Sequence, residues 1–249
     1  RLAMCATIQF AGALHSIRAV LEPHLAHVQL PQCKPLSAGE TLGCTAPVIE
    51  GADAVVYVAD GRFHPEGVMI ANPSLPLYRY DPYAKALTRE TYDHAAMRAM
   101  RAAAVGAARG ATSWGIVLGT LGRQGSTAIL DHVRTTLERR GCTHVTVLLS
   151  EVFPSKLAAF RSVEAWVQIC CPRLSIDWGY AFTAPLLSPY EANLALANLA
   201  LPLDEVYPMD YYAKAGGSWS NYAKAEDRAA SRDRCCGGGG DGSGGGADC

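Results

Sequence analysis

The sequence predicts an α/β fold: two similar domains with parallel sheets flanked by helices, then a disordered Gly-rich C-terminal tail. Three observations carry this. Short β-rich runs alternate with helical stretches in two successive series, the pattern of βαβ units. The clearest run, Ala54-Val55-Val56-Tyr57-Val58-Ala59, is apolar throughout, as in a strand buried on both faces. From Ser231 the composition collapses into glycine, which cannot bury enough surface to offset its ordering entropy. With 249 residues, 49% of them hydrophobic, the chain can build one large or two ordinary domains. The division places one domain at 1–112, a second at 113–222 and the tail at 223–249.

In the first series Cys5 to Phe10 is a strand, Ala11 to Leu21 a helix stopped near Pro23, and His27 to Leu30 a short strand. Leu77 to Tyr80 reads as an edge strand before Asp81-Pro82. An Ala-rich amphipathic helix spans Thr88 to Arg109, with Thr88 or Thr91 as its cap and Arg98, Arg101 and Arg109 towards its C-terminal half. In the second series Trp114 to Leu118, His144 to Leu149 and Ala165 to Cys170 are strands. Thr127 to Arg140, Pro154 to Phe160 and Ser188 to Leu199 are helices, the last with Pro189 in its first turn.

A net charge of −1 and the lack of a basic stripe argue against nucleic acid. No apolar run approaches the roughly 18 residues of a membrane helix. The N-terminus does not read as a secretory signal, and it lacks an initiator Met, as a fragment or processed product would. Nine cysteines, at 5, 33, 44, 142, 170, 171, 235, 236 and 249, form no CxxC pair. An odd, irregular set in a chain this long suits a reducing compartment with some thiols used as ligands. The three tail cysteines are expected to carry no function.

Four stretches carry possible chemistry. Cys171-Pro172-Arg173 follows a buried strand, where open α/β sheets bind ligands. Its thiol is a metal or cluster ligand, a nucleophile or an inert buried side chain. Cys44 follows Gly43 at a similar loop start. Gly119-Thr120-Leu121-Gly122-Arg123-Gln124-Gly125-Ser126 leads into a helix. It is either a tight turn or an anion cradle in which Arg123 and Gln124 could fix a carboxylate or amide; it is neither a P-loop nor GxGxxG. Asp60-Gly61-Arg62-Phe63-His64-Pro65-Glu66 is a polar strand-end loop suited to structure or substrate more than to a metal. No GxSxG occurs, which argues against a nucleophile-elbow hydrolase.

Longer blocks then match a known family. They are Pro31-Gln32-Cys33-Lys34-Pro35-Leu36-Ser37, Leu42-Gly43-Cys44-Thr45, Asp60 to His64, Leu118 to Gly125, Leu149-Ser150-Glu151-Val152-Phe153-Pro154-Ser155-Lys156, Cys171 to Gly179 and Tyr207-Pro208-Met209-Asp210-Tyr211-Tyr212. From about residue 1 to 222 the chain resembles the 2-(3-amino-3-carboxypropyl)histidine synthases of diphthamide biosynthesis. The Tyr207 block and Trp219-Ser220-Asn221-Tyr222 resemble their subunit 1 branch. The resemblance implies three α/β domains around a [4Fe–4S] cluster, one Cys from each, with this chain equivalent to the second and third domains. Cys44 and Cys171 then match two cluster ligands, and the third is expected in a first domain that precedes residue 1.

It also implies a transferase that uses S-adenosylmethionine. One electron from the cluster cleaves the bond from sulfur to the methionine Cγ, and the 3-amino-3-carboxypropyl radical adds to a histidine of translation elongation factor 2. The implied partners are subunit 2 in a heterodimer and a small iron-binding electron donor, in the cytoplasm; no nucleic acid or membrane is involved. Arg123, Gln124 and Arg173 become candidates for gripping the methionine carboxylate or positioning the substrate. Two other readings stay open: a non-catalytic or truncated subunit that keeps the partner interface without a complete cluster, and an α/β enzyme that binds another nucleotide at its Gly-rich turn.

Overall fold

The computed structural model describes residues 1–122, 124–202, 205–209, 217–220 and 223–236, with side chains through Ser231 in the last stretch. The first unit runs β1 (Leu2–Ala6), α1 (Ile8–Leu21), β2 (Val28–Gln29), β3 (Ala54–Val58), α2 (Phe63–Ala71), β4 (Leu77–Asp81) and β5 (Ala86–Glu90). Its sheet has the order β2-β1-β3-β4-β5. The first four strands are parallel and β5 is antiparallel to β4.

Three expectations need correction here. The strand expected over Cys5–Phe10 lies at Leu2–Ala6, because Thr7 has the extended backbone of an N-cap (φ −68°, ψ 160°) and Ile8 is already helical. Leu77–Asp81 is not an edge: β5 folds back onto it. Asp81 makes that turn, its Oδ1 accepting the Tyr83 and Ala84 N–H groups at 2.9 and 3.1 Å, and Lys85 adopts φ +50°. The long helix expected from Thr88 therefore begins only at His94. Its cap is Asp93, whose Oδ1 accepts the Ala96 N–H at 2.9 Å, and neither Thr88 nor Thr91.

The second unit comprises α3 (His94–Ala108), β6 (Ser113–Gly119), α4 (Thr127–Arg139), β7 (Thr143–Leu149), α5 (Pro154–Ala158), β8 (Ala165–Ile169), α6 (Arg173–Trp178), β9 (Leu186–Leu187) and α7 (Pro189–Leu196). Its sheet, β7-β6-β8-β9, is wholly parallel. α3 packs on α7 and β9, so by packing it belongs to this unit although it precedes residue 112. The stretch from 223, expected to be disordered, opens with α8 (Ala225–Cys236), which packs on α4 and α7. Residues 237–249 lie outside the described residues.

Each sheet is covered on both faces. In the second, Trp114, Ile116, Val167 and Ile169 pack with Ile129, Val133 and Leu137 of α4 and with Val105 of α3 on one face, and Val117 and Trp166 pack with Leu157 of α5 on the other. In the first, Val55 and Tyr57 face Val68 and Met69 of α2, and Met4 and Val58 face Leu14 of α1. A further cluster crosses between the units: Ile70 of α2 meets Met97 of α3, Ile176 of α6 and Tyr190 of α7.

Beside that junction Arg101 is buried in an ionic network. Its Nε and Nη2 donate to the Glu191 carboxylate at 2.6 and 2.7 Å, and its Nη1 and Nη2 to the Ser175 and Leu186 carbonyls at 2.8 and 2.7 Å. Glu191 also accepts from the Tyr207 hydroxyl at 2.6 Å and the Ser188 N–H at 2.8 Å. Gly179 yields to the same arginine, since a Cβ there would lie 2.4 Å from Arg101 Nη1. One guanidinium thus fixes α3, α6, β9 and α7 together. Arg101→Met should cost about 3–5 kcal/mol, because it strands a buried carboxylate. Adding Glu191→Leu should recover part of that loss. Urea unfolding compares the two variants, and an equal loss in both would refute the pairing.

Candidate functional site

Both units aim the carboxyl ends of their strands at one place. In the first unit the segment before Cys44 adds to β1: the Thr41 N–H donates to the Ala6 carbonyl at 3.1 Å and the Ala6 N–H to the Gly39 carbonyl at 2.8 Å. Leu42 and Thr45 then exchange backbone hydrogen bonds at 3.0 and 3.3 Å, which closes a tight loop with Cys44 at its tip. Two glycines let this loop touch α2. A Cβ on Gly43 would lie 2.3 Å from the Phe63 ring, and one on Gly67 would lie 2.6 Å from the Gly43 carbonyl.

In the second unit β8 ends at Ile169 and the chain turns through Cys170-Cys171-Pro172 into α6. Proline here starts a helix rather than stopping one, since Pro172 is the N-cap residue of α6. The Leu174 N–H donates to the Cys171 carbonyl at 3.0 Å. The turn brings the thiol of Cys171 beside that of Cys44. That contact, with burial, pushes the Cys171 thiol well above its ordinary value, only partly offset by the Arg173 N–H and charge. Two thiols this close ionise together only against mutual repulsion. An iron–sulfur centre, which takes thiolates as its natural ligands, would relieve that repulsion, so the donor pair fits such a group. Among the described residues no three His, Cys, Asp or Glu side chains gather to hold a metal ion.

Arg173 clamps the two loops from behind. It is 3% exposed, and its Nε donates to both Asp177 carboxylate oxygens at 2.9 Å. Nη2 reaches across to Glu66 of α2 at 2.6 Å, and Nη1 donates to the Phe63 carbonyl at 2.8 Å. The guanidinium also lies 4.5 Å from the Phe63 ring centre, a cation–π contact. Burial lifts the Asp177 carboxyl above the usual range, against the pull of Arg173. Expected as an anion grip, Arg173 is committed instead to the protein's own carboxylates.

The ion pairs continue outwards. Arg62 Nε faces Glu66 at 3.5 Å, Arg62 Nη1 faces Glu90 at 3.3 Å, and Arg79 joins Glu90 at 3.0 Å to Asp81 at 3.4 Å. The loop 60–66 is therefore largely the first turn of α2, bound into this chain. His64, half-buried and edge-on to Phe63, has its imidazole lowered by burial and by the Arg173 charge.

The Gly-rich turn abuts the same place. A Cβ on Gly119 would lie 2.7 Å from the Cys170 sulfur, and one on Gly125 would lie 2.1 Å from the Gly119 carbonyl. Ser126 caps α4 by accepting the Ile129 N–H at 3.4 Å. Gln124 is half-buried beside it, and Arg123 lies outside the described residues. Cys170 itself is packed into the core with its thiol pushed up to about 12 by burial. Cys5 is likewise a core residue, so neither joins the pair.

Comparison with known proteins shows the family. A family model for diphthamide synthesis proteins matches residues 1–207. The chain belongs to that family. It is 51% identical over 233 residues to a Dictyostelium discoideum protein named 2-(3-amino-3-carboxypropyl)histidine synthase subunit 1, covering 90% of this chain and 49% of that one. The human protein of the same name is 54% identical over 221 residues, covering 88% and 50%. The chain thus spans about half the length of the curated relatives it matches. Its fold is similar to the crystal structure of Dph2 from Pyrococcus horikoshii with a 4Fe-4S cluster, at a TM-score of 0.66 and 24% identity over 84% of this chain and 59% of that one.

Within this family fold, sequence reasoning had missed Gln168, and it had placed Glu66 and Asp177 in candidate stretches without seeing that Arg173 joins them. Arg173 and Asp177 are four apart, the spacing of one helix face, and that spacing was the available signal for the clamp. The outer ion pairs should show in acid. Burial would raise the Glu90 carboxyl, but hydrogen bonds from Thr88 and Arg79 and the charges of Arg62 and Arg79 outweigh it and hold it below the usual range. Its stabilisation is complete above the unfolded value of about 4.3 and disappears as pH falls through the folded value. Glu90→Gln should therefore be less stable than wild type at pH 7, with a gap that narrows below about pH 4. Urea midpoints from pH 3 to 7 test this; a gap constant with pH would contradict it.

Proposed function

We propose that this chain is the part of a subunit 1 that carries two ligands of a [4Fe–4S] cluster, Cys44 and Cys171. The reaction is transfer of the 3-amino-3-carboxypropyl group from S-adenosylmethionine to a histidine of translation elongation factor 2, the first step of diphthamide biosynthesis. The observation that carries the reading is the thiol–thiol contact between loops of two separate units, in a chain of this family. When bound, the cluster would supply one electron for cleaving the bond between sulfur and the methionine Cγ.

The residues of this chain do the holding. The Cys44 and Cys171 loops present two soft donors from two strand ends. Arg173, Glu66 and Asp177 keep those loops at one separation, and the Phe63 ring packs between the Arg173 guanidinium and Gly43, next to Cys44. With Arg173 occupied, gripping the methionine carboxylate falls to the turn at 119–126 with Gln124 and Arg123, whose backbone amides precede α4. Subunit 2, a small iron-binding electron donor and elongation factor 2 are the proposed partners, and the cytoplasm the proposed compartment. Among the described residues no helix is long and apolar enough to cross a membrane.

A second reading has its own observation: only two thiols meet among the described residues. The chain would then keep the partner interface without completing a cluster. Anaerobic reconstitution with iron and sulfide, alone and with subunit 2, separates the two. Iron uptake with sulfur-to-iron charge-transfer absorbance, lost in Cys44→Ala and Cys171→Ala together with group transfer, supports the first reading. Unchanged iron content and product in Cys171→Ala would overturn the ligand assignment.

A further inference from the structure

All five residues of β8, Ala165-Trp166-Val167-Gln168-Ile169, are buried. A glutamine in such a strand is costly unless its amide is paired. Gln168 is 0% exposed and its amide is fully engaged, with partners clustered at the cysteine turn. Its Oε1 accepts the Cys170 N–H at 2.9 Å. Its Nε2 donates to the Cys171 carbonyl at 3.1 Å and to the Ser175 hydroxyl at 2.9 Å.

We infer that Gln168 is a positioning residue for the Cys44–Cys171 pair, an inference that rests on reading those thiols as cluster ligands. The chain must leave the strand at Ile169 and enter α6 at Arg173, so the peptide groups of Cys170 and Cys171 leave the β ladder. From within the sheet Gln168 gives the Cys170 N–H its acceptor and the Cys171 carbonyl a second donor beside the Leu174 N–H. Its bond to Ser175 ties the same turn to α6, and Ser175 in turn offers its carbonyl to Arg101. The direction of the Cys171 sulfur follows from its backbone. The side chain that holds that backbone therefore sets whether the sulfur meets Cys44. An apolar side chain of the same length would fill the space and leave the Cys170 N–H unpaired.

The test measures thiol geometry without iron. Diamide oxidises two adjacent thiols to a disulfide, and peptide mass spectrometry of the full chain follows the Cys44–Cys171 link. Gln168→Leu should slow that link by about tenfold, as expected for loss of about 1.4 kcal/mol of hydrogen bonding. Gln168→Glu keeps the acceptor for Cys170 but loses the donors to Cys171, and should fall between. It also covers the case in which the leucine variant does not fold. Asn193→Leu removes another buried amide, which donates to Ser218 at 2.7 Å, and should lower stability while leaving the link rate within about twofold of wild type. With subunit 2 and iron, both Gln168 variants should shift the electron paramagnetic resonance signal of the reduced centre. A wild-type link rate in both Gln168 variants, or equal slowing in Asn193→Leu, would overturn the inference. A wild-type chain that forms the link yet takes up no iron would overturn the cluster reading alone, and the link rates would still decide on Gln168.

Discussion

The site depends on one cation placed where two sheets meet. Cys44 and Cys171 lie on loops from different units, and neither loop makes the other's position. Arg173 does, because its fork holds Asp177 on its own helix and Glu66 and the Phe63 carbonyl on α2. Bidentate geometry makes this a restraint on angle as well as distance. α2 in turn touches the Cys44 loop through Gly43 and Gly67, so the restraint passes to the thiol with no flexible side chain between. Removing Arg173 would strip both carboxylates of their shared cation, whereas removing one carboxylate leaves the other against it.

The same clamp shapes the electrostatics. From Asp81 through Arg79, Glu90, Arg62, Glu66 and Arg173 to Asp177 the signs alternate, and the chain of pairs begins and ends on carboxylates. Its cations are spent internally. Little of the Arg173 charge is left to attract an anion, because Asp177 and Glu66 both sit against it. An anionic ligand would therefore be drawn to backbone amides at the Gly-rich turn rather than to this arginine.

Much of this was legible in the residues. The apolar runs located β3, β6, β7 and β8 to within a residue or two, because runs rich in β-branched residues bounded by turns mark strands, whether central like β8 or at an edge like β7. Cys171 stood out by its place after a buried strand, where open α/β sheets bind ligands, and Cys44 by its place at a loop start beside Gly43; their pairing as ligands came from the family resemblance. The hairpin β4–β5 was not legible, because Ala86-Leu87-Thr88-Arg89-Glu90 has no strand composition and runs into an Ala-rich helix. Its strand state comes from the Asp81 turn and from pairing with β4, a tertiary override of propensity. The roles of Arg101 and Arg173 were also hidden. A helix arginine reads as a solvated charge until the carboxylate that meets it, 90 residues away for Arg101, is known.

Polar cross-links hold this site where apolar packing alone would leave the register of α6 loose. Leucine-like contacts tolerate sliding, since many packings have similar energy. Arg101 and Gln168 grip α6 and its approach at the Ser175 carbonyl and hydroxyl, while Arg173 grips it from the α2 side. Each of these groups is buried, so each is stable only with its own partners in place. A helix of six residues held at three points has little freedom to rotate. That rigidity accounts for how a sulfur on a turn just before α6 can be directed at a sulfur from another sheet with no disulfide between them. It also accounts for a buried glutamine and two buried arginines within one small junction, where each would otherwise be a cost without a purpose.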